Sequence, residues 1–333
     1  MKAVTIESFG TPVDVVRCAE IPDPAPPGEG EVSVRMLMAP INPADMLTVN
    51  GSYVRQIEFP FILGTEGVGR VDDVGGGVED LKPGDLVVPM PRYTWQQRMT
   101  VRPSHLIKVP TGGALEQMAQ LKVNPATADR MLANFVTLEA GDWIIQNVAN
   151  SGVGRYAIQL AKQRGVKTVN IVRRGEMIAP LEAIGGTVVL ADSSDDPQRL
   201  AAAVREATEG AEIKLGLDAI AGTATDALAE ALGDGGEIVN YGTLSRQPCQ
   251  ISGANLFQHD KVLRGFWLTA WYRRTKLGEI ASVLEPLAQA IAAGDLFSEV
   301  DTIYPIEQAG EACTHAARYG RDGKILIALS PDI

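Results

Sequence analysis

Through the first third of the chain, apolar and polar positions alternate in short runs closed by turn residues. AVTIESFG from Ala3, EVSVRMLMA from Glu31, GVGRVDDVG from Gly67 and DLVVPM from Asp85 carry the two-residue period of half-buried strands. DPAPPGEGE and GGGVEDLKPGD between them are loops, rich in Pro and Gly. The pattern predicts a mostly β domain. Near Asn124 the period changes, and strands and helices take turns. PATADRMLANFVTL is helical; DWIIQNV, KTVNIVR, TVVLAD, KLGLDAI, GEIVNYG and VLRGFWL read as strands. Between them lie helices over 154–164, around Pro180, over 197–208 and over 223–232. About six strands separated by helices predict an open parallel sheet with helices on both faces. Past Phe266 the alternation stops. A helix over 279–292 and the strands EVDTIYPI and KILIAL remain, and they are expected to return to the first domain. The fold class is α/β, divided as 1–120, 121–265 and 266–333, with the first and last segments forming one domain.

Length and charge narrow the function. A chain of 333 residues is too long for one small core. A net charge of −11 sets aside nucleic acid and an anionic membrane surface as main partners, yet leaves room for an anionic small ligand on a local basic patch. No apolar run approaches the roughly 20 residues of a membrane span. MKAVTIESFG enters a strand pattern with no leader-like stretch, so the expected location is cytoplasmic. Cys18, Cys249 and Cys313 are scattered, as are His105, His259 and His315, so neither a disulfide framework nor a cysteine-rich metal site is predicted.

The chemistry concentrates in NVANSGVGRYAIQLAKQRGVKTVNIVRR, Asn147 to Arg174. Ala149, Gly152, Gly154 and Ala157 are spaced as in a dinucleotide-binding turn. Small residues there let a pyrophosphate reach backbone N–H groups at the positive end of a helix, and Ala157 lets helix and sheet pack closely. The motif follows a strand, opens a helix and leads to a second strand, which is the context it requires. NAD sites place an acidic residue about 20 positions on, at the ribose hydroxyls. Here Arg173 stands 19 residues after Gly154, with Arg174 beside it. Guanidinium groups pair with a 2′-phosphate, so the expected cofactor is NADPH.

The same stretch resembles the medium-chain dehydrogenase/reductase superfamily, and within it the mitochondrial-type trans-2-enoyl thioester reductases. INPADMLTVNGSY, KVNPATADRML and LRGFWLTAWYRR carry that likeness over nearly the whole chain. The resemblance implies a GroES-like β domain, a Rossmann doubly wound parallel sheet domain and a homodimer joined through the Rossmann sheets. It also implies residue roles. Tyr53 in NGSY matches the family's catalytic tyrosine, and Asn124 a residue at the nicotinamide ribose. Asn150, Ser151, Gly152 and Val153 match the pyrophosphate loop, and Arg173, Arg174 and Gly175 the 2′-phosphate site. Tyr241, Gly242, Thr243 and Leu244, then Phe266, Trp267 and Leu268, and finally Lys324 match further NADPH contacts. Asn42 and Trp95 are placed at the substrate pocket. The segment around Trp95, MPRYTWQQRMTV, is shorter than in the mitochondrial-type members, which bears on the acyl pocket.

The zinc enzymes of the superfamily carry Gly-His-Glu where this chain has Gly64-Thr65-Glu66, and a cysteine ligand where it has the Asn42 to Asp45 stretch. Amide and carboxylate groups without Cys or His make a poor zinc site, so no metal is expected. The activity that follows is NADPH-dependent reduction of an activated C=C bond, most simply that of an enoyl-CoA or enoyl-acyl-carrier-protein thioester. A quinone or enone reductase is the alternative with the same chemistry, and an NADPH-binding structural or regulatory protein without turnover the alternative of another class. Beyond its substrate and a second copy, no nucleic-acid or membrane partner is expected.

Overall fold

The alternating runs of the first third pair with one another in the computed structural model, which describes residues 1–53, 56–192, 196–318 and 320–331. Val32–Pro40 is the hub. It pairs antiparallel with Val68–Val74 on one side and with Arg98–Val101 and Lys324–Ala328 on the other. The sheet continues through Leu86–Pro89 to Leu106–Val109, and beyond Lys324–Ala328 to Val300–Pro305. A three-stranded sheet sets Lys2–Ile6 between Arg17–Glu20 and Phe61–Ile62. The apolar alternate positions Val4, Ile6, Val32, Val34, Met36 and Val71 meet in one core with Trp95, Ile325 and Ile327. These elements form one compact unit, Met1–Ala126 with Thr275–Ile333; Thr127–Arg274 forms the other.

The second unit is a six-stranded parallel sheet in the order Val188–Ala191, Lys167–Val172, Trp143–Gln146, Ile213–Asp218, Glu237–Asn240, Val262–Gly265. Its strands are β-branched and apolar because both faces are covered. Ile145, Val169, Ile213 and Ile238 join one apolar cluster; Ile158, Val172 and Leu181 join another. The direction of strand succession reverses between Trp143–Gln146 and Ile213–Asp218, the place where open α/β sheets receive ligands. This is the Rossmann arrangement, and with the GroES-like β unit it gives the α/β class.

The unit borders fall later than 120/121 and 265/266. The ladder does not stop at Gly265: Phe266 N donates to Asn240 O at 2.8 Å. The Phe266 ring meets Phe135 edge-on at 5.8 Å, and Arg130 lies 5.7 Å from the Trp271 ring. These contacts keep the helix Leu268–Arg274 with the second unit, and no local sequence signal announces them. No helix among the described residues is long and apolar enough to cross a membrane.

At the switch point the loops are tied to one buried carboxylate. Asp218 Oδ1 accepts from Asn147 Nδ2 at 2.7 Å, Ile220 N at 2.9 Å and Ala221 N at 3.1 Å. Its Oδ2 accepts from Thr225 Oγ1 at 2.7 Å and Asn240 Nδ2 at 3.0 Å. Three strand ends are thereby fixed to one another. Asp218→Ala strands all these donors and should cost the fold about 3–5 kcal/mol, measured by chemical denaturation.

Candidate functional site

The turn after the first parallel strand is built for close approach. A Cβ on Gly154 would lie 2.5 Å from Ala149 O, so only glycine fits there. Ser151 caps the helix Gly152–Gln163, its Oγ accepting from Gly154 N at 3.1 Å. Beneath the turn, the buried Gln146 side chain donates to Gly154 O at 3.0 Å and to Asn170 Oδ1 at 2.8 Å, locking the helix start to two strands. Ala157 is fully buried, as close helix–sheet packing requires. The positive end of a twelve-residue helix therefore stands at a fixed turn.

The other segments leave the same sheet edge. Arg173, Arg174 and Gly175 follow Lys167–Val172; Tyr241, Gly242, Thr243 and Leu244 follow Glu237–Asn240; Phe266, Trp267 and Leu268 follow Val262–Gly265. All are carboxyl ends of parallel strands. Arg173 is exposed, and Arg174 pairs with Glu176 at 2.9 Å. Gly242 repeats the close approach: its Cβ would lie 2.6 Å from Ala219 O. The Tyr241 hydroxyl is buried and makes no hydrogen bond of good geometry among the described residues. Burial holds its phenol well above the ordinary value, with the nearby Ser151 opposing. A glycine turn, a helix N-terminus and two guanidinium groups on one edge fit a phosphorylated dinucleotide.

The remaining candidates lie in the first unit. Tyr53 follows the helix Pro43–Val49, its N–H donating to Leu47 O at 3.0 Å. Asn124, nearly buried, opens the helix Asn124–Asn134, and its side-chain nitrogen makes no hydrogen bond among the described residues. Trp95 is fully enclosed in the hydrophobic core.

Asn42 and Lys324 belong to a buried polar network. Asn42 Nδ2 donates to Glu66 Oε1 at 2.7 Å, and Asn42 Oδ1 accepts from Lys324 Nζ at 2.5 Å. Glu66 Oε2 accepts from Val123 N at 2.8 Å. Asp45 accepts from Thr65 Oγ1 at 2.5 Å and from Asn42 N at 2.9 Å. Lys122 Nζ donates to the carbonyls of Thr65 at 2.7 Å, Met90 at 2.8 Å and Pro91 at 3.2 Å. Burial pushes Glu66 up to about 8 and brings Lys122 and Lys324 down to about 8, each against the pull of the opposite charge. The sequence gives little warning of this network: Glu66, Lys122 and Lys324 are far apart along the chain.

This donor set does not suit zinc. Asn42 and Asp45 already serve hydrogen bonds inside the network, Thr65 offers a hydroxyl in place of an imidazole, and the Lys324 ammonium sits on Asn42. Among the described residues no three His, Cys, Asp or Glu side chains gather as a metal site.

Comparison with known proteins agrees with this architecture. The alcohol dehydrogenase GroES-like domain family matches residues 28–126, and the zinc-binding dehydrogenase family matches 152–283. The mitochondrial enoyl-acyl-carrier-protein reductase of Arabidopsis thaliana is 34% identical over 98% of this chain and 88% of its own length. That of Dictyostelium discoideum is 35% identical over 98% and 95%. Among solved structures, a putative NADPH:quinone reductase from Bacillus thuringiensis superposes with a TM-score of 0.89 at 26% identity, covering 98% of each chain. The Etr1p/NADP/crotonyl-CoA complex superposes with a TM-score of 0.86 at 28% identity, covering 98% of this chain and 99% of the other. A relative of similar likeness, the Etr1p/Etr2p pair from Candida tropicalis, is a heterodimer (TM-score 0.85, 28% identity, 98% and 99% covered). The curated relatives are mitochondrial proteins, which overturns the expectation of a cytoplasmic location. That expectation leaned on the residues at which the chain begins, and these say nothing of compartment.

Lys324→Met removes the cation from the buried network and leaves Asn42 and Glu66 without it. The loss should be about 1–3 kcal/mol of stability, read from urea denaturation, because the buried Asn42 Oδ1 is left without its donor.

Proposed function

We infer the function from the family to which the chain belongs, the zinc-free enoyl thioester reductases of the medium-chain dehydrogenase/reductase superfamily. The chain is an NADPH-dependent reductase of an activated carbon–carbon double bond, and its substrate is a trans-2-enoyl thioester on CoA or on an acyl-carrier protein. The observation that carries this reading is the single sheet edge on which the glycine turn, the helix N-terminus and the arginine pair follow one another.

The cofactor, when bound, supplies a hydride for the β-carbon. Asn150, Ser151, Gly152 and Val153 hold the pyrophosphate, and Arg173, Arg174 and Gly175 the 2′-phosphate. Residues 241–244 and 266–268 would extend the cofactor surface along the same sheet edge, and the family likeness gives Asn124 to the nicotinamide ribose. Tyr53 acts where charge develops: its hydroxyl donates to the thioester oxygen as the enolate forms, or gives its proton to the α-carbon. A positioned donor suffices for a thioester enolate, and no Lewis acid is required of the protein.

The quinone-reductase reading keeps one support, the likeness to the Bacillus thuringiensis protein. Turnover of crotonyl-CoA with NADPH, set against a simple benzoquinone, separates the two: the thioester should be reduced at the higher kcat/KM. Preference for the quinone would overturn the substrate assignment. No turnover of either would return the chain to the class of NADPH-binding proteins without catalysis.

The chain is also read as a homodimer joined through its parallel sheets. Val262–Gly265 is an edge strand paired only with Glu237–Asn240 among the described residues, and Leu256, Phe257 and Val262 near it are exposed. An open apolar sheet edge is a natural seat for a second copy. Phe257→Glu with Val262→Lys should shift the protein to monomer on size-exclusion chromatography.

Two further outcomes are expected. Arg173→Ala with Arg174→Ala should raise the KM for NADPH about tenfold or more and leave that for NADH nearly unchanged, since charge-assisted bonds to phosphate are lost. Tyr53→Phe should slow kcat by about 10²-fold or more with NADPH affinity intact, because only a transition-state hydrogen bond is removed. Steady-state kinetics beside a direct NADPH titration measure both.

A further inference from the structure

We propose that Arg92 is the positioning residue of Tyr53, a fixed cation that holds the phenol ring, and with it the hydroxyl, in one orientation. The proposal rests on the reaction assigned above.

Three observations carry it. The Arg92 guanidinium carbon lies 5.4 Å from the centre of the Tyr53 ring. The face of an aromatic ring is negative, so a cation over it holds the ring in one orientation. Second, Arg92 and Tyr53 are tied to one helix. Arg92 Nη2 donates to Thr48 Oγ1 at 3.2 Å, and Thr48 Oγ1 donates in turn to Ala44 O at 2.8 Å, both within Pro43–Val49. Tyr53 hangs from the end of that helix through its N–H bond to Leu47 O.

Third, the turn that carries Arg92 is held from the buried side. Lys122 Nζ grips the two carbonyls before it, Met90 O and Pro91 O. The next residue, Tyr93, takes a left-handed φ of 70° and donates its N–H to Gly64 O at 2.8 Å. Gly64 admits no side chain, since a Cβ would lie 2.5 Å from Trp95 N. A surface arginine in a loose loop samples many rotamers and contributes little. Here the backbone is fixed on both sides of the residue, and the side chain ends on a ring and a hydroxyl of one helix. Arg92 thus links the buried network of Glu66 and Lys122 to the phenol. No covalent step is asked of it; it acts through Tyr53.

A double-mutant cycle tests the proposal, using purified protein at saturating NADPH with crotonyl-CoA varied. Arg92→Met should lower kcat about tenfold and change the KM for crotonyl-CoA less than about twofold. In the Tyr53→Phe background the same change should cost nothing further, because the hydroxyl it positions is gone. Arg92→Lys, which keeps the charge, should recover most of the rate. An equal loss in both backgrounds, or a loss confined to KM, would overturn the proposal and make Arg92 a substrate contact or a general structural residue. A second readout does not need turnover. In protein labelled with 3-fluorotyrosine, the Tyr53 resonance is the one that Tyr53→Phe removes. Arg92→Met, or Arg92→Lys should the first variant not fold, should move that resonance toward the free amino acid with Met and less with Lys. A resonance unmoved by either change would overturn the proposal. Wild-type protein without enoyl turnover would sink the assigned reaction and leave the resonance to decide the role of Arg92.

Discussion

A carboxylate that cannot reach water must be given partners, and the first unit is arranged around that demand. Glu66 is fully buried. An isolated ion there would be prohibitively costly, so its two oxygens are met by the Asn42 amide and the Val123 N–H. Lys324 completes Asn42, and Lys122 closes the neighbouring carbonyls of Thr65, Met90 and Pro91. The network reaches from the helix Pro43–Val49 to the strand Lys324–Ala328, and every donor in it has a defined place. Such a network stabilises little compared with an apolar core of the same volume. What it provides is uniqueness of position, and the turn bearing Arg92 and the helix leading to Tyr53 both hang from it.

The second unit solves the same kind of problem with a different outcome. Asp218 gathers donors from the ends of three neighbouring strands, and the gathered loops leave the sheet where its strand succession reverses. In one unit a buried acid orders the start of the helix Pro43–Val49; in the other it orders the carboxyl edge of the parallel sheet. Catalysis by positioned groups depends on such prior ordering, because little reorganisation is then needed as charge develops.

Much of this was legible in the sequence wherever the signal was local. The glycine turn and the arginines at a strand end lie within a single βαβ unit, and their spacing reports their geometry. The strands of the parallel sheet were legible because burial on both faces forces continuous apolar runs. The buried networks were not. Glu66 and Lys324 are separated by most of the chain, and a charge that finds its partner through the fold leaves no period behind. The bond of Lys324 to Asn42 and the enclosure of Trp95 in the core left no local pattern in the sequence. The unit border after Arg274 was hidden for a similar reason, since aromatic contacts of Phe135 and Arg130 hold it.

The return of the chain to its first sheet sets an order on synthesis. The second unit can close once Arg274 has been made, while the strand Val32–Pro40 still waits for Lys324–Ala328 along part of its edge. Until then Leu326 and Ile327 are not there to pair with Pro40 and Ala39, and Asn42 has no ammonium to accept from. The nascent first unit therefore carries an open apolar edge and an unserved Asn42 amide oxygen at the same time. A ribosome stalled between these two points would display a finished nucleotide-binding fold beside a sticky, unfinished one, and it is the unfinished one that a chaperone has reason to hold.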